Sequence, residues 1–150
     1  DVATLAKGLA GGVPVGACLA SGKAAGLFGP GNHGTTFGGN QLAMTAALTT
    51  LDVVEKEGLR ENAVRIGQLI RDELKTTLAG VAGVVDIRGN GLMIGIELDG
   101  SGSEFRKRLL FEKHIFTGGA GASTVRLLPA LCLTRELADR FLNAFKELVR

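Results

Sequence analysis

The sequence predicts an α/β fold in which an irregular first quarter is followed by regular helices and strands that end in a small α+β unit. Two long stretches, 41–57 and 59–78, repeat their apolar residues at helical spacing. Residues 92–98 instead alternate apolar side chains with others, which is typical of a strand with one buried face. Many of the 23 glycines fall in residues 8–40, where the backbone must turn sharply or approach another group closely.

The first half is predicted to hold one strand and two helices. Residues 13–20, VPVGACLA, are compatible with a short buried strand. From Gln41 to Glu57 the chain is predicted to be helical, with Gly58 as the stop. A second helix follows and ends by Gly80. Its apolar stripe comprises Leu59, Ala63, Ile66, Ile70, Leu74 and Leu78.

The second half, residues 80–150, is predicted to form the α+β unit. Residues 84–88 and 92–98 are expected to pair as a hairpin. Ser103 is expected to cap a helix that runs to about Lys113, and Thr134 a last helix. Short apolar runs, HIF, TVRLL and ALCL, lie between these helices. The stripe of the last helix comprises Ala138, Phe141, Leu142, Phe145, Leu148 and Val149.

Composition favours a soluble globular protein that acts on small molecules or other subunits. The 17 basic and 15 acidic residues are spread through the chain, which argues against nucleic-acid binding. No apolar stretch approaches the ~20 residues of a membrane span. Cys18 and Cys132 lie far apart in apolar surroundings, so we expect buried thiols in a reducing compartment, the cytoplasm.

Lys7 is the single charge in the apolar, glycine-rich run 4–16, TLAKGLAGGVPVG. The only acidic residue nearby is Asp1, so no local salt bridge explains the charge. If the run is buried, desolvation would lower the pKa of the Lys7 amine and leave a nucleophile able to attack a carbonyl group. The alternative is a surface lysine whose ammonium group reaches water.

A glycine-rich loop, HGTTFGGNQLA at 33–43, leads into the first long helix. The helix N-terminus and the hydroxyls of Thr35 and Thr36 could together bind an anion, of which phosphate is the obvious candidate. Threonine and asparagine are also ordinary turn and cap residues. Two other glycine-rich stretches, 17–25 and 89–95, fail the spacing of nucleotide-binding motifs.

Arg126 is the one charge in the apolar run TVRLLP. A guanidinium group in such a strand is costly unless it meets a carboxylate with good geometry. The alternative is an arginine on the exposed face of an edge strand.

Several of these motifs together resemble one family. TLAKGLAGGVPVGACLA and HGTTFGGNQLA are similar to the lysine and threonine motifs of class III, pyridoxal phosphate-dependent aminotransferases, and most of all to the acetylornithine group. RGNGLMIGIELD and TVRLLPALCLT also fit, so the resemblance spans essentially the whole chain. It implies a fold type I transferase, with 1–79 as the end of the cofactor-binding large domain plus a connecting helix, and 80–150 as the C-terminal small domain.

The resemblance also implies roles for four residues. Lys7 would be the catalytic lysine that binds pyridoxal 5'-phosphate covalently. Thr36 would bind the cofactor phosphate from the neighbouring subunit of a homodimer, and Thr35 would contact the substrate. Arg126 would pair with an active-site glutamate or receive a substrate carboxylate.

The implied reaction is ping-pong amino transfer from N2-acetylornithine to 2-oxoglutarate in arginine biosynthesis. Ornithine, succinylornithine and succinyldiaminopimelate are rival amino donors. A complete family member carries further cofactor-binding residues ahead of the lysine motif, and these 150 residues do not include them. We therefore expect the isolated 150-residue chain to be inactive. The alternative function is a non-catalytic fragment or pseudo-enzyme that binds another subunit.

Overall fold

The computed structural model describes residues 1–149, which form two compact units, Asp1–Glu57 and residues 58–149. The division lies before the second long helix, because that helix supplies part of the core of the second unit. The assignment of 1–79 and 80–150 to a large and a small domain stays a prediction.

The first unit contains a two-stranded antiparallel sheet and one long helix. Strand β1 (Val2–Leu5) pairs with β2 (Ala17–Ala20), and a short 3₁₀ turn, Lys7–Ala10, follows β1. Helix α1 (Gln41–Lys56) has nearly the predicted bounds. The strand predicted within 13–20 is present, but its residues are exposed, so the expectation of a buried strand is wrong for this chain.

Both cysteines are exposed, so the expectation of buried thiols is also wrong. Cys18 lies on β2, all four residues of which are accessible. Cys132 lies in the turn that follows the run PAL, not in a strand.

The second unit is a four-stranded antiparallel sheet with three helices. Its elements in chain order are α2 (Leu59–Thr77), β3 (Val84–Asn90), β4 (Met93–Leu98), α3 (Gly102–Lys113), β5 (Gly118–Ala120), β6 (Thr124–Leu127) and α4 (Arg135–Val149). The strands lie in the order β3-β4-β6-β5. Side chains from all three helices pack with the sheet in a single apolar core.

The periodic patterns of the second unit are confirmed. Ile94 and Ile96 on β4 are fully buried, as the alternation predicts. The predicted stripes of α2 and α4 lie in the core, apart from the half-buried residues at their ends, Leu59 and Val149. Burial of such stripes is the main source of helix stability in a folded protein.

Some predicted ends of the helices and strands are confirmed and others are wrong. The hairpin of β3 and β4 is confirmed. Asn90 still pairs with Met93, so the turn has two residues instead of the three that separate the predicted strands. Thr134 caps α4, since its Oγ1 accepts a hydrogen bond from the Leu137 N–H at 3.3 Å. The cap predicted at Ser103 is wrong. Ser101 caps α3 instead, and its Oγ accepts from the Glu104 N–H at 3.3 Å.

Candidate active site

Lys7 begins the 3₁₀ turn Lys7–Ala10 with a backbone φ of +54°. Lys7 and His114 are the only non-glycine residues of 1–149 with positive φ. His114 follows the last turn of α3, where the left-handed conformation is common. Lys7 has no such explanation, and the conformation costs an L-residue about 1–2 kcal/mol. Strain of this kind concentrates at functional sites, which marks Lys7 independently of its charge.

The Lys7 side chain is exposed. The amine is therefore not buried, and burial was the condition on which the sequence predicts a desolvated nucleophile. Within residues 1–57 the amine has no hydrogen bond and no ion pair, so it is sterically and electrostatically free to meet an added carbonyl compound.

Small side chains hold the lysine turn against α1. Ala10, Ala43 and Ala47 are the only buried residues among 1–57, and the turn and α1 are packed together. Gly11 closes the turn in the left-handed conformation, and a Cβ placed on it would lie 3.5 Å from Thr50 Oγ1. Because alanine and glycine allow close approach, the position of Lys7 is tied to the first turns of α1.

Thr35 and Thr36 lie in the loop before α1, and both are exposed. Neither hydroxyl is hydrogen-bonded within residues 1–57. Asn40 provides the helix cap instead, with Oδ1 accepting from the Ala43 N–H at 3.0 Å. Gly38 leaves room for Thr35, since a Cβ there would lie 2.2 Å from Thr35 Cγ2. The capping role proposed as an alternative for this loop thus belongs to Asn40, and both threonine hydroxyls remain available to a ligand.

Arg126 lies on β6, an interior strand between β4 and β5. Its neighbours Val125 and Leu127 are buried in the core, so Arg126 points to the opposite face of the sheet, where it is exposed. Within residues 58–149 its guanidinium group has no hydrogen bond and no ion pair. Of the alternative, an arginine on the exposed face of an edge strand, the exposed face is found but the edge position is not. A carboxylate partner for Arg126 is not among these residues. Lys7, Thr35 and Thr36 belong to the first unit and Arg126 to the second.

Sequence reasoning missed a carboxylate on the same face of the sheet, Glu97. It accepts hydrogen bonds from Ser123 Oγ, from Thr124 Oγ1 at 2.5 Å and from Arg88 Nη2 at 2.8 Å. Together these donors lower the pKa of Glu97 to about 2, Ser123 contributing most. The only signal in the sequence was an acidic residue within an apolar strand. Its partners depend on the register that places Glu97 opposite Thr124.

Replacing Glu97 by glutamine is expected to lower the thermal unfolding temperature at neutral pH. Because the folded-state pKa lies below the ordinary value of 4.5, ionised Glu97 stabilises the fold above pH 4.5, and that contribution is lost as the pH falls toward 2. The difference between wild type and variant should therefore shrink across this interval, measured by thermal melts at a series of pH values. Glu112→Gln, which alters an exposed pair with Arg108 on α3, serves as the control. A pH-independent difference would contradict the assignment.

This chain is similar to known proteins over its whole length. Residues 1–149 match the family model described as aminotransferase class-III. The chain belongs to the class-III aminotransferase family. Acetylornithine aminotransferase 1 of Bordetella parapertussis is 48% identical over 150 residues, which are all of this chain and 38% of that protein. Acetylornithine aminotransferase of Nitrosomonas europaea is 48% identical over 149 residues. The chain thus spans about two fifths of the length of these curated relatives.

Solved aminotransferase structures superpose closely on this chain. Ornithine aminotransferase from Plasmodium yoelii matches with a TM-score of 0.91 and 35% identity, over 99% of this chain and 40% of that one. Acetylornithine aminotransferase from Elizabethkingia anophelis matches with a TM-score of 0.87 and 32% identity, over 99% of this chain and 40% of that one. The predicted family and fold type I architecture are confirmed.

Class-III aminotransferases are pyridoxal phosphate enzymes, and the residues of the first unit fit that cofactor. A free amine at Lys7 suits an aldehyde, and a free hydroxyl at Thr36 close to a helix N-terminus suits a phosphate group. Among residues 1–149 there is no cluster of three or more side chains that could hold a metal ion. No helix in the same part of the chain is long and apolar enough to cross a membrane.

Proposed function

We propose that the protein containing this chain is an N2-acetylornithine:2-oxoglutarate aminotransferase of arginine biosynthesis, which uses pyridoxal 5'-phosphate as a homodimer in the cytoplasm. The sequence relatives named acetylornithine aminotransferase support the substrate. The observation that carries the chemistry is Lys7, whose unpaired amine is held on a strained backbone at the position of the family's lysine motif.

Three residues of the first unit have separate roles around the cofactor. When bound, pyridoxal phosphate supplies an electron sink for the bond that breaks at the substrate Cα. Lys7 Nζ would hold the cofactor through its aldehyde and, when free, would take the proton from the substrate Cα and pass it to the cofactor. The Thr36 hydroxyl donates to the cofactor phosphate in the neighbouring subunit, and Thr35 contacts the substrate. A dimer is therefore needed to complete each phosphate site.

Arg126 binds a substrate carboxylate. Its guanidinium group can donate two parallel hydrogen bonds to the two carboxylate oxygens, the geometry that makes arginine selective for planar anions. The absence of a partner within residues 58–149 leaves these donors available. Both half-reactions need such a group, because the amino donor and 2-oxoglutarate each carry a carboxylate.

The direct test of the chemistry is borohydride reduction of the purified gene product in the presence of pyridoxal phosphate, followed by peptide mapping. A cofactor adduct on Lys7 is the expected result. An adduct on another lysine, or none, would contradict the catalytic assignment and favour the alternative of a non-catalytic subunit.

Ornithine is the second candidate substrate, because the solved structures with a TM-score of 0.91 include ornithine aminotransferases. We expect the gene product to use N2-acetylornithine with a kcat/KM about tenfold or more above that for ornithine, since a site shaped for the acyl group loses contacts with the shorter donor. Steady-state assays with 2-oxoglutarate as acceptor measure this ratio. A ratio below one would assign the protein to ornithine instead.

A further inference from the structure

Arg126 has a glycine as its direct partner on each neighbouring strand. The register pairs Arg126 with Gly95 on β4 and with Gly118 on β5. Directly paired residues of antiparallel strands bring their side chains within contact distance on one face of the sheet. Arg126 therefore has no side chain opposite it on either side.

The guanidinium group of Arg126 lies on the Gly118 side. A Cβ placed on Gly118 would lie 3.4 Å from Arg126 Nε, 3.6 Å from Nη2 and 3.3 Å from the Arg126 carbonyl oxygen. A Cβ placed on Gly95 would instead meet Thr124 and Arg88. Any side chain longer than a methyl group at position 118 would thus occupy space that the guanidinium group now uses.

The two carboxylates on this face of β3 and β4, Asp86 and Glu97, already accept hydrogen bonds from other residues. Glu97 accepts from Arg88, Ser123 and Thr124, and Asp86 accepts from Arg88. Within residues 58–149 Arg126 therefore has no carboxylate partner on this face, and its donors are free for a carboxylate from outside the protein.

We propose that Gly118 is a positioning residue, which holds the Arg126 guanidinium group against β5 so that its free donors face an incoming ligand carboxylate. The proposal rests on the proposed role of Arg126 as a carboxylate-binding residue. Gly118 itself touches no ligand. It acts only by leaving open the space over its own Cα in which Arg126 lies.

The test is glutarate binding to the full-length gene product in its cofactor-loaded form, measured by titration calorimetry. Gly118→Val should weaken glutarate binding about tenfold, and Gly118→Ala less, because a displaced guanidinium group loses the geometry of a paired hydrogen bond. The matched control is Ala120→Val, which places the same side chain on the same face of β5, opposite Thr124. Valine is favoured in strands, so both variants should fold.

A double-mutant cycle separates positioning from general damage to the sheet. In an Arg126→Ala background, which should itself weaken glutarate binding tenfold or more, Gly118→Val should have almost no further effect. If Arg126→Ala leaves glutarate binding unchanged, or the unmodified protein binds none, the role of Arg126 and this proposal both fail. If Arg126→Ala weakens binding while Gly118→Val matches Ala120→Val, or if the two effects add fully, only the assignment of Gly118 is overturned.

Discussion

Replacing Lys7 by alanine is expected to reduce amino transfer by the full-length gene product at least about 10³-fold, because both the covalent attachment of the cofactor and the proton transfer at the substrate Cα depend on one amine. The loss should appear mainly in kcat, since the carboxylate and phosphate contacts of the other residues are untouched. The visible absorbance of the bound cofactor should change at the same time, because its aldehyde is no longer attached to the protein.

The matched control is Lys23→Ala. Lys23 is a second exposed lysine in a 3₁₀ turn of the glycine-rich first unit, but its backbone φ is not positive. We expect this variant to keep both activity and the cofactor spectrum. A Lys7→Ala protein that retained a substantial rate would show that another residue carries the proton, and the proposed chemistry would be wrong. Equal losses in the two variants would instead indicate general damage to the first unit.

The long helices could be predicted because their signal is local. In α2 and α4 the apolar stripe repeats over three turns or more, and each stripe is buried largely as predicted. Strand β1, Val2–Leu5, was not predicted, since four residues are too few to show a clear alternation. The sequence predicts the cap of α3 at Ser103 instead of Ser101, because two serines two residues apart offer the same chemistry and only the backbone conformation distinguishes them.

The candidate site was predictable only where chemistry is carried by an isolated residue or a motif. Lys7 stood out as an unpaired charge, and Thr35 and Thr36 stood out through their glycine-rich loop. The strained φ of Lys7 and the hydrogen bonds of Glu97 could not be predicted. The first is a property of the folded backbone, and the second needs the strand register that places Glu97 opposite Thr124.

Replacing Gly67 by alanine is expected to destabilise the second unit by about 2–3 kcal/mol, although helix propensity predicts the opposite. Gly67 lies inside α2, where exchange of glycine for alanine ordinarily stabilises by about 1 kcal/mol. Here a Cβ would lie 1.9 Å from the carbonyl oxygen of Gly91, in the turn between β3 and β4. Atoms cannot approach so closely, so either α2 or the hairpin must move.

The surroundings of Gly67 make that movement costly. The obstructing atom belongs to the backbone and cannot rotate away as a side chain could. It is also fixed from a second side, because Arg71 Nη1 donates a hydrogen bond to the same Gly91 oxygen at 2.8 Å. Ile66, directly before Gly67, and Ile70, about one turn after it, are fully buried in the core, so a shift of α2 would open gaps there. Steric cost therefore exceeds the gain from propensity.

Urea denaturation of Gly67→Ala, compared with Gly100→Ala, decides between these two effects. Gly100 lies between β4 and α3, and a Cβ there would meet nothing within 4 Å, so that variant should stay within about 0.5 kcal/mol of the unmodified chain. A Gly67→Ala midpoint at or above that of the unmodified chain would mean that α2 and the hairpin can separate without loss. That result would show that the contact between Gly67 and Gly91 does not fix the distance between α2 and the sheet.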